Sequence, residues 1–264
     1  MYEFNYRRAS SVFDAVSSSD QSDDASYLAG GMTLIPVLKF RLAAPSDVID
    51  LADLGELKGI RTENGAVAIG AMTTHAEVAG SAEVRQAIPA LADLAESIGD
   101  PQVRNRGTIG GSIANADPAA DYPAAVVGLG ATVHTNSRTI GADDFFTAMF
   151  ETALEPGELV TAVSFPVPDR AAYMKFPNPA SRYAIVGVMV SQSGDGVRVA
   201  VTGAGGRVFR VAEMEQALAA NFVPEAVAGI SVSAEGLNED LHASPEYRAH
   251  LVTVMARRAV AAAG

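Results

Sequence analysis

The sequence predicts an α+β fold rather than a doubly wound parallel sheet. Two apolar runs with period two lie at 183–191 and 197–203. A short turn joins them, which is typical of antiparallel strands. Segments whose apolar residues have helical spacing, at 74–97, 211–220 and 245–262, alternate with such runs. No internal repeat of fixed period is present.

Local patterns predict each element in chain order. Val12, Phe13 and Val16 share one face and indicate a short helix at 11–16, followed by a Ser/Asp-rich loop. The further predicted elements are a buried strand at 25–29, a helix at 33–40, strands at 47–51 and 66–70, helical pieces across 74–97 that break near Gly80-Ser81 and Pro89, a loop-like stretch at 98–123, a helix and a strand at 124–135, a strand at 158–168 and an extended stretch near 227–234. The prolines that end the strand at 158–168 indicate a domain boundary.

Composition limits the possible function classes. With 264 residues, 48% of them hydrophobic, the chain is long enough for one large domain or two ordinary ones. Its formal net charge of −12 and the lack of a basic stripe argue against a nucleic-acid partner. The absence of cysteine excludes disulfides, thiolate nucleophiles and thiolate ligation of an iron–sulfur cluster. The four histidines lack zinc-site spacing, so any redox chemistry would use a bound organic cofactor.

Targeting and membrane segments are not expected. The N-terminal residues contain no apolar core long enough for a signal peptide. No apolar run approaches the length of a membrane span. We therefore expect a cytoplasmic protein.

The first glycine-rich segment, LAGGMTLIPVLKF at 28–40, places two adjacent glycines between a strand and an apolar helix. Glycines permit positive φ and let main-chain N–H groups approach a ligand, and a helix N-terminus favours an anion. The G-x-G-x-x-G spacing of a dinucleotide fingerprint is absent, and no GK[ST] follows as in a P-loop. The segment predicts either an anion cradle or a tight strand-to-helix turn.

The second glycine-rich segment, IGDPQVRNRGTIGGSIANADPAADYP at 98–123, is the most informative part of the chain. Three glycines lie within five residues, among short hydrogen-bonding side chains: Gly107, Thr108, Gly110, Gly111, Ser112 and Asn115. Arg104 and Arg106 could pair with phosphate or with surface acids. Asp117 and Asp121 follow on a proline-containing turn, where a carboxylate suits a ribose hydroxyl. A metal pair is disfavoured, because no third carboxylate or histidine accompanies them.

A third glycine-containing run, VTGAGGRVF at 201–209, also follows a predicted strand. It lacks a third glycine in register and a following apolar helix, so we interpret it as a plain turn. The two earlier segments together favour the diphosphate of a cofactor as their ligand.

Four passages of the sequence resemble the FAD-binding medium subunits of molybdenum hydroxylases, typified by aerobic carbon monoxide dehydrogenase and the xanthine dehydrogenase family. AGGMTLIPVLK at 29–39 and IGDPQVRNRGTIGGSIANADPAADYPAA at 98–125 are similar to the two flavin loops of that family. LEPGELVTAVSFP at 154–166 resembles the strand that closes its flavin domain, and DLHASPEYRAHLVTVMARRAV at 240–260 resembles its C-terminal helix signature. The similarity spans nearly the whole chain, in family order and spacing.

The resemblance implies a more specific fold than the residue patterns do. It implies a vanillyl-alcohol-oxidase-type FAD-binding domain at 1–168, with two α+β subdomains at about 1–55 and 56–168. A smaller C-terminal α+β domain, of the carbon monoxide dehydrogenase flavoprotein type, is expected at 169–264.

The resemblance also implies which residues contact FAD. Asn115 and Asp121 would reach the diphosphate and sugar hydroxyls, and Leu159 or Val160 would lie by the adenine. Tyr183 would face the isoalloxazine ring, and Lys175 would lie near its pyrimidine end. The complete set of implied contacts is Ala29, Gly30, Gly31, Met32, Thr33, Leu34, Ile35, Ile98, Thr108, Gly110, Gly111, Ser112, Asn115, Asp117, Asp121, Leu159, Val160, Lys175 and Tyr183.

Several of these positions carry a second interpretation. Met32 stands where relatives often have a polar residue, and Arg182 where an Asp is common. Tyr183 could instead be an ordinary strand aromatic, and Lys175 a solvated surface lysine.

In this family, substrate is hydroxylated at a molybdopterin centre on a large subunit, and electrons pass through two-iron, two-sulfur clusters on a small subunit to FAD. The resemblance thus implies an electron-transfer subunit, in a dimer of heterotrimers, that passes electrons to an external acceptor. Neither a catalytic side chain nor a metal is expected in this chain. Two alternatives remain: a self-sufficient flavin oxidoreductase, such as a UDP-N-acetylenolpyruvoylglucosamine reductase-like enzyme, or a non-enzymatic module that has lost its flavin.

Overall fold

The structure, a computed structural model, describes all residues from 1 to 264. The strands are β1 (Asn5–Arg8), β2 (Ala25–Leu28), β3 (Asp47–Asp50), β4 (Ile60–Glu63), β5 (Ala66–Gly70), β6 (Thr132–Thr135), β7 (Thr139–Gly141), β8 (Phe146–Ala148), β9 (Glu151–Thr152), β10 (Val160–Pro166), β11 (Arg170–Pro177), β12 (Ala184–Ser193), β13 (Gly196–Thr202) and β14 (Phe209–Arg210). The helices are α1 (Val12–Asp20), α2 (Leu34–Lys39), α3 (His75–Gly80), α4 (Ala82–Ala87), α5 (Pro89–Glu96), α6 (Pro101–Arg104), α7 (Ile109–Asn115), α8 (Tyr122–Gly128), α9 (Ala142–Phe145), α10 (Ala212–Ala220) and α11 (Pro245–Ala263). Strands and helices are thus mixed along the chain, which confirms the predicted α+β class.

The first sheet is small and parallel, with the strand order β1-β3-β2. Helices α1 and α2 form its crossovers, because parallel neighbours cannot be joined by a tight turn. Ile49 at its centre is fully buried and packs with Leu51 in a small core. Strand β2 ends at Leu28, so the first glycine-rich segment leaves the sheet at its carboxyl edge, where parallel sheets commonly place ligands.

The second sheet has five antiparallel strands in the order β4-β5-β10-β6-β7. Strand β10 lies in the middle and pairs with β5 and β6. Residues of α5, α7 and α8 pack with this sheet in the largest core, where Leu91, Ile113 and Phe165 are fully buried. This core fixes α7, and with it the second glycine-rich segment, against the sheet.

The third sheet has four antiparallel strands in the order β11-β12-β13-β14. Strand β12 is buried on both faces, because Val186, Val188 and Val190 belong to the C-terminal core whereas Met189 belongs to the largest core. Helix α11 packs on one side of β12, and α8 packs on it as well. The loop between β11 and β12, which contains Tyr183, is thereby held close to α8 and the second glycine-rich segment.

Most of the predicted elements are confirmed. The strand at 66–70 has the predicted bounds, and the helical prediction across 74–97 is confirmed as three helices that break near Gly80-Ser81 and at Pro89. The turn predicted at 201–209 is confirmed, since Gly203 has a φ of +82° between β13 and β14.

Three predictions were wrong. The stretch at 98–123 is not a loop, because α6, α7 and the start of α8 lie in it; Asp100 and Thr108 cap the first two helices. The first helix does not stop at 16, since polar residues extend it to Asp20. The stretch predicted to be extended near 227–234 begins instead with the end of a 3-10 helix at Val227 and a helical Ala228.

None of the helices combines the length and the apolar character that a membrane crossing requires.

Candidate cofactor-binding site

A cavity of about 610 Å³ lies between the two glycine-rich segments and the loop that joins β11 and β12. Its volume is in the range typical of sites for small molecules and cofactors. The sequence-predicted residues in its wall are Ala29, Gly30, Gly31, Met32, Thr33, Leu34, Ile98, Thr108, Gly111, Ser112, Asn115, Asp117, Asp121 and Tyr183.

The first glycine-rich segment contributes four residues with free main-chain donors to the wall of this cavity. The N–H groups of the four residues Gly30, Gly31, Met32 and Thr33 donate to no acceptor within the chain. Gly31 has a φ of +75°, a conformation that side chains disfavour. Helix α2, which follows, has no side-chain cap at its N-terminus. Successive unpaired N–H groups of this kind form a concave site for an anion.

The two glycine-rich segments touch each other. A β-carbon at Gly30 would collide with the carbonyl oxygen of Arg106 and would lie 2.9 Å from the α-carbon of Gly107. A β-carbon at Gly111 would lie 3.5 Å from that of Ala29. The two segments therefore form one continuous wall.

The second segment uses its main-chain donors within the fold. The Gly110 N–H donates to the carbonyl oxygen of Ala71 at 2.9 Å, and the Gly111 N–H donates to the hydroxyl of Thr108 at 3.1 Å. What this segment leaves free are side chains: Ser112 and Asn115 line the cavity and form no side-chain hydrogen bond within the chain. We expected its glycine N–H groups to face a diphosphate, but here hydroxyl and amide groups are the free ones.

Asp121 is the centre of a buried polar cluster at the cavity wall. The hydroxyl of Tyr173 donates to its Oδ1 at 2.5 Å, and the ammonium of Lys175 lies 3.0 Å from the same oxygen. Lys175 also donates to the carbonyl oxygens of Ser97 and Arg182. Burial raises the pKa of Asp121, and the charge of Lys175 opposes this rise.

Lys175 is thus neither a solvated surface lysine nor a wall residue of the cavity. Its side chain is 7% exposed and ties together the ends of three wall segments. Its ammonium group donates hydrogen bonds to Asp121 and to the carbonyl oxygens of Ser97 and Arg182. Ser97 and Arg182 directly precede Ile98 and Tyr183 in the chain, so these bonds hold Ile98 and Tyr183 in the cavity wall.

Tyr183 stands half-exposed in the cavity wall at the start of β12. It follows Arg182, whose φ of +63° closes the turn after β11. Burial and the charges of Asp117 and Asp121 raise the pKa of the Tyr183 hydroxyl, so the ring stays neutral. A neutral aromatic ring at this position can stack against a planar group.

Four other predicted contacts also lie outside the wall. Ile35 packs beside Gly31 on the far side of the first segment, and Gly110 packs against Ala71. Leu159 and Val160 are buried in two of the cores. As cofactor contacts these residues stay predictions.

Sequence reasoning missed His75, which lines the cavity and is only 5% exposed. Its main-chain N–H donates to the Gly107 carbonyl, and its ring lies 5.3 Å from that of Tyr122. Burial, helped by the charge of Arg104, lowers its pKa to about 4, so the imidazole is neutral near pH 7. The capping box of Thr74 and Glu77 indicates a helix start there, but no sequence signal aims the ring at the cavity.

Family comparisons match nearly the whole chain. The family described as the FAD binding domain in molybdopterin dehydrogenase matches residues 2–168. The family described as the CO dehydrogenase flavoprotein C-terminal domain matches residues 171–263.

Similar proteins and structures agree with these matches. The chain is 36% identical to the nicotine 6-hydroxylase medium subunit of Paenarthrobacter nicotinovorans, over 98% of this chain and 96% of that one. It is also 36% identical to the carbon monoxide dehydrogenase medium chain of Afipia carboxidovorans, over 97% and 95%. A structure of reconstituted CO dehydrogenase from Oligotropha carboxidovorans superposes with a TM-score of 0.90 at 35% identity, covering 99% of this chain and 97% of that one. Quinoline 2-oxidoreductase from Pseudomonas putida 86 superposes with a TM-score of 0.89 at 29% identity, covering 99% and 96%.

Proposed function

This chain belongs to the FAD-binding medium subunits of molybdenum hydroxylases, and we propose that it carries electrons on FAD inside a heteromeric complex of that kind. FAD is its cofactor, and the chain is a subunit of an oxidoreductase. One observation carries the proposal most strongly: the four free main-chain donors from Gly30 to Thr33 lie in the wall of a cavity of about 610 Å³.

The residues of this cavity fit a flavin dinucleotide. The N–H groups from Gly30 to Thr33 would hold the diphosphate. Ser112 and Asn115 would bond to the diphosphate or to sugar hydroxyls, since a hydroxyl and an amide can both donate and accept. Ile98 and Tyr183 offer the apolar and aromatic surface that a planar ring system requires.

When bound, FAD supplies a carrier that takes up and releases one or two electrons. The residues of this chain would bind it and orient it. The proposed electron source is a two-iron, two-sulfur cluster on a small partner subunit, because this chain has no cysteine to hold one. The organic substrate would be hydroxylated at a molybdopterin centre on a large partner subunit, and an external acceptor would take the electrons from this cavity.

The proposed assembly is a dimer of heterotrimers in the cytoplasm. Its support is that the similar carbon monoxide dehydrogenase and nicotine 6-hydroxylase chains are named as medium subunits. Co-expression with the large and small subunits, followed by size-exclusion chromatography and cell fractionation, tests it. Recovery of this chain alone, with the two partners in another fraction, would contradict the proposal.

We also propose that the chain divides into an FAD-binding domain at 1–168, with subdomains at about 1–55 and 56–168, and a C-terminal domain at 169–264. The family matches at 2–168 and 171–263 support this division. Tyr173 and Met189, from beyond the boundary, pack in the largest core, so the two parts share apolar surface. An isolated 1–168 fragment should therefore be less stable than the full chain.

The test of the proposed function is to purify the full chain with FAD, record its absorbance and measure its thermal unfolding. A flavin spectrum and a rise of Tm with FAD concentration are expected, because a ligand that binds only the native state stabilises it. Riboflavin is the matched control ligand, since it carries the ring system without the diphosphate, and it should raise Tm far less. A colourless chain whose Tm does not change in excess FAD would contradict the proposal.

A further inference from the structure

A second cavity, of about 430 Å³, lies on the other side of the polar cluster around Asp121. Tyr173 and Lys175 are in its wall, whereas Asp121 is in the wall of the cofactor cavity. Asp93 and Asn178 line the second cavity as well. The two cavities are therefore connected through the side chains of this cluster.

The connection is a single hydrogen bond. The hydroxyl of Tyr173, a residue that lines the second cavity, donates to Asp121 Oδ1 at 2.5 Å. Tyr173 is 9% exposed and Asp121 is 5% exposed, so bulk water does not surround this bond. A proton that enters at Tyr173 can leave at Asp121 without crossing apolar material.

The fold leaves space for the hydroxyl that makes this connection. Gly187 on β12 lies beside Tyr173, and a β-carbon at Gly187 would overlap the Tyr173 hydroxyl oxygen. Any other residue at 187 would displace the hydroxyl from Asp121. A glycine inside a central strand weakens it, so its presence here indicates a close approach that the strand accommodates.

The tyrosine hydroxyl is not needed to neutralise Asp121. Lys175 already supplies a full positive charge 3.0 Å away, and two main-chain carbonyls hold that lysine in place. Buried ion pairs add little net stability compared with apolar residues of the same volume, so stability alone does not explain this arrangement. Burial raises the pKa of Asp121, which makes the carboxylate a better proton acceptor than an exposed one.

We propose that Tyr173 and Asp121 carry protons between the second cavity and the cofactor cavity, and that Lys175 holds Asp121 in position. The proposal rests on the proposed function, in which electrons from an iron–sulfur cluster of a partner reach FAD. Asp121 and Tyr173 are then relay residues, and Lys175 is a positioning residue.

The step balances in electrons and protons. Two electrons from the partner's cluster and one proton convert the oxidised isoalloxazine to its singly protonated reduced form. The proton comes from water in the second cavity and binds the Tyr173 oxygen as the proton of that hydroxyl moves to Asp121. Asp121 then releases its proton into the cofactor cavity. When the external acceptor removes the two electrons, the proton returns by the reverse steps.

Several other ionisable groups surround Asp121. Tyr122 from α8 carries no charge, because burial raises the pKa of its hydroxyl and keeps it protonated. Asp117 and Tyr183 lie near the cavity side, and Asp93 stands at the second cavity. Lys175 from β11 is the cation in contact with Asp121.

The test follows proton uptake while the flavin of the FAD-loaded chain is reduced photochemically, with a pH-indicator dye in weak buffer. Tyr173→Phe should slow uptake about a hundredfold or more, the range lost with a positioned proton donor, and should leave the affinity for FAD unchanged. Tyr6→Phe is the matched control: Tyr6 also donates to a carboxylate, that of Asp50 at 2.6 Å, but lies in the first sheet. Its uptake should equal that of the unmodified chain.

A second measurement needs no flavin. The infrared carboxyl band of Asp121, assigned by its loss in Asp121→Asn, should titrate above the ordinary range of about pH 4 in the FAD-free chain. A band that titrates in the ordinary range would overturn the proposal. So would wild-type proton uptake in a Tyr173→Phe chain that binds FAD normally. A chain that binds no FAD at all would instead overturn the proposed function, and the relay with it.

Discussion

The two glycine-rich segments of this chain look alike in sequence but use their glycines differently. In the first segment, the N–H groups from Gly30 to Thr33 have no acceptor in the chain, and these four residues line the cavity. In the second, the N–H groups of Gly110 and Gly111 are bonded within the fold. Gly110 is a packing residue, since a β-carbon there would lie 2.5 Å from that of Ala71.

This difference separates two reasons for glycine that sequence patterns do not distinguish. Glycine at 31 permits the positive φ of a segment whose main-chain donors stay free, whereas glycine at 30 and at 110 allows one part of the protein to approach another. Substitutions in the first segment should therefore change the affinity for FAD. Substitutions at the bonded positions of the second should change the free energy of unfolding.

The largest effect should come from His75, on which the second segment rests. The pKa of His75 is lowered from 6.5 to about 4, so the unfolded chain binds the proton more tightly than the folded chain does. The resulting stability is present above about pH 6.5 and is lost as the pH falls toward 4, by roughly 3 kcal/mol in total. Urea unfolding of the FAD-free chain across this range measures the loss.

His75→Gln should remove this part of the pH dependence, and His250→Gln, at an exposed histidine of α11, is the control that should not. If the free energy of unfolding depended on pH as steeply in His75→Gln as in the unmodified chain, a neutral His75 imidazole would not be what stabilises the second segment.

The next effect should appear at Gly110. Gly110→Ala should lower the free energy of unfolding of the FAD-free chain by about 2 kcal/mol, because the added methyl group overpacks a buried contact with Ala71. Gly111→Ala is the matched control, since Gly111 is exposed and a β-carbon there meets no main-chain atom, only the Thr108 hydroxyl at 2.9 Å and the Ala29 β-carbon at 3.5 Å. Chemical denaturation compares the two variants. Equal losses in the free energy of unfolding would mean that Gly110 has no special packing role in the second segment.

In the first segment, Gly31→Ala should weaken FAD binding about tenfold, since it strains the turn that aims the free donors. Gly31 has a φ of +75°, and Gly65, in the turn between β4 and β5, has the same φ with no atom within 4 Å of an added β-carbon. Gly65→Ala should therefore lose about 1 kcal/mol of stability from the same backbone strain, without a change in FAD affinity. Fluorescence titration with FAD measures the difference. Unchanged affinity in Gly31→Ala would remove the first segment from the site.

The smallest effects should come from two side chains of the second segment, one of which contributes to stability and the other to FAD binding. Thr108→Ala should cost about 1 kcal/mol of stability, because Thr108 accepts the Gly111 N–H as the N-cap of α7. Ser112→Ala should leave stability unchanged and reduce the affinity for FAD by about 1 kcal/mol, the contribution of one hydrogen bond. Denaturation and FAD titration on both variants make the comparison. A reversal, with Thr108 governing affinity and Ser112 governing stability, would contradict the division.

Short apolar runs between turn residues were the most predictable features of the sequence. The strand at 66–70 and the helices across 74–97 follow from local patterns, since their apolar residues and their Gly and Pro breaks all agree. The second glycine-rich segment was mistaken for a loop because its Gly, Pro and Asn residues have low helix propensity. Tertiary packing of Ile109 and Ile113 outweighs that propensity in α7.

The candidate site was predictable only in part. Most of the predicted residues of the two glycine-rich segments line one cavity. They were predictable because each segment is a continuous motif in the sequence. The hydrogen bonds of Gly110 and the position of His75 depend on contacts between distant segments, which no local pattern encodes. Strand β11, which brings Tyr173 and Lys175 to Asp121, was not predicted at all.

Hydrogen exchange at single amides, with and without FAD, tests the contrast between the segments most directly. Without FAD, the amides of Gly30 to Thr33 should exchange rapidly, whereas those of Ile109 and Gly110 should already be protected by their bonds to Thr73 and Ala71. Saturating FAD should protect the amides of the first segment. Amides of Gly30 to Thr33 that exchange as rapidly with FAD as without it would show that these donors do not hold the cofactor.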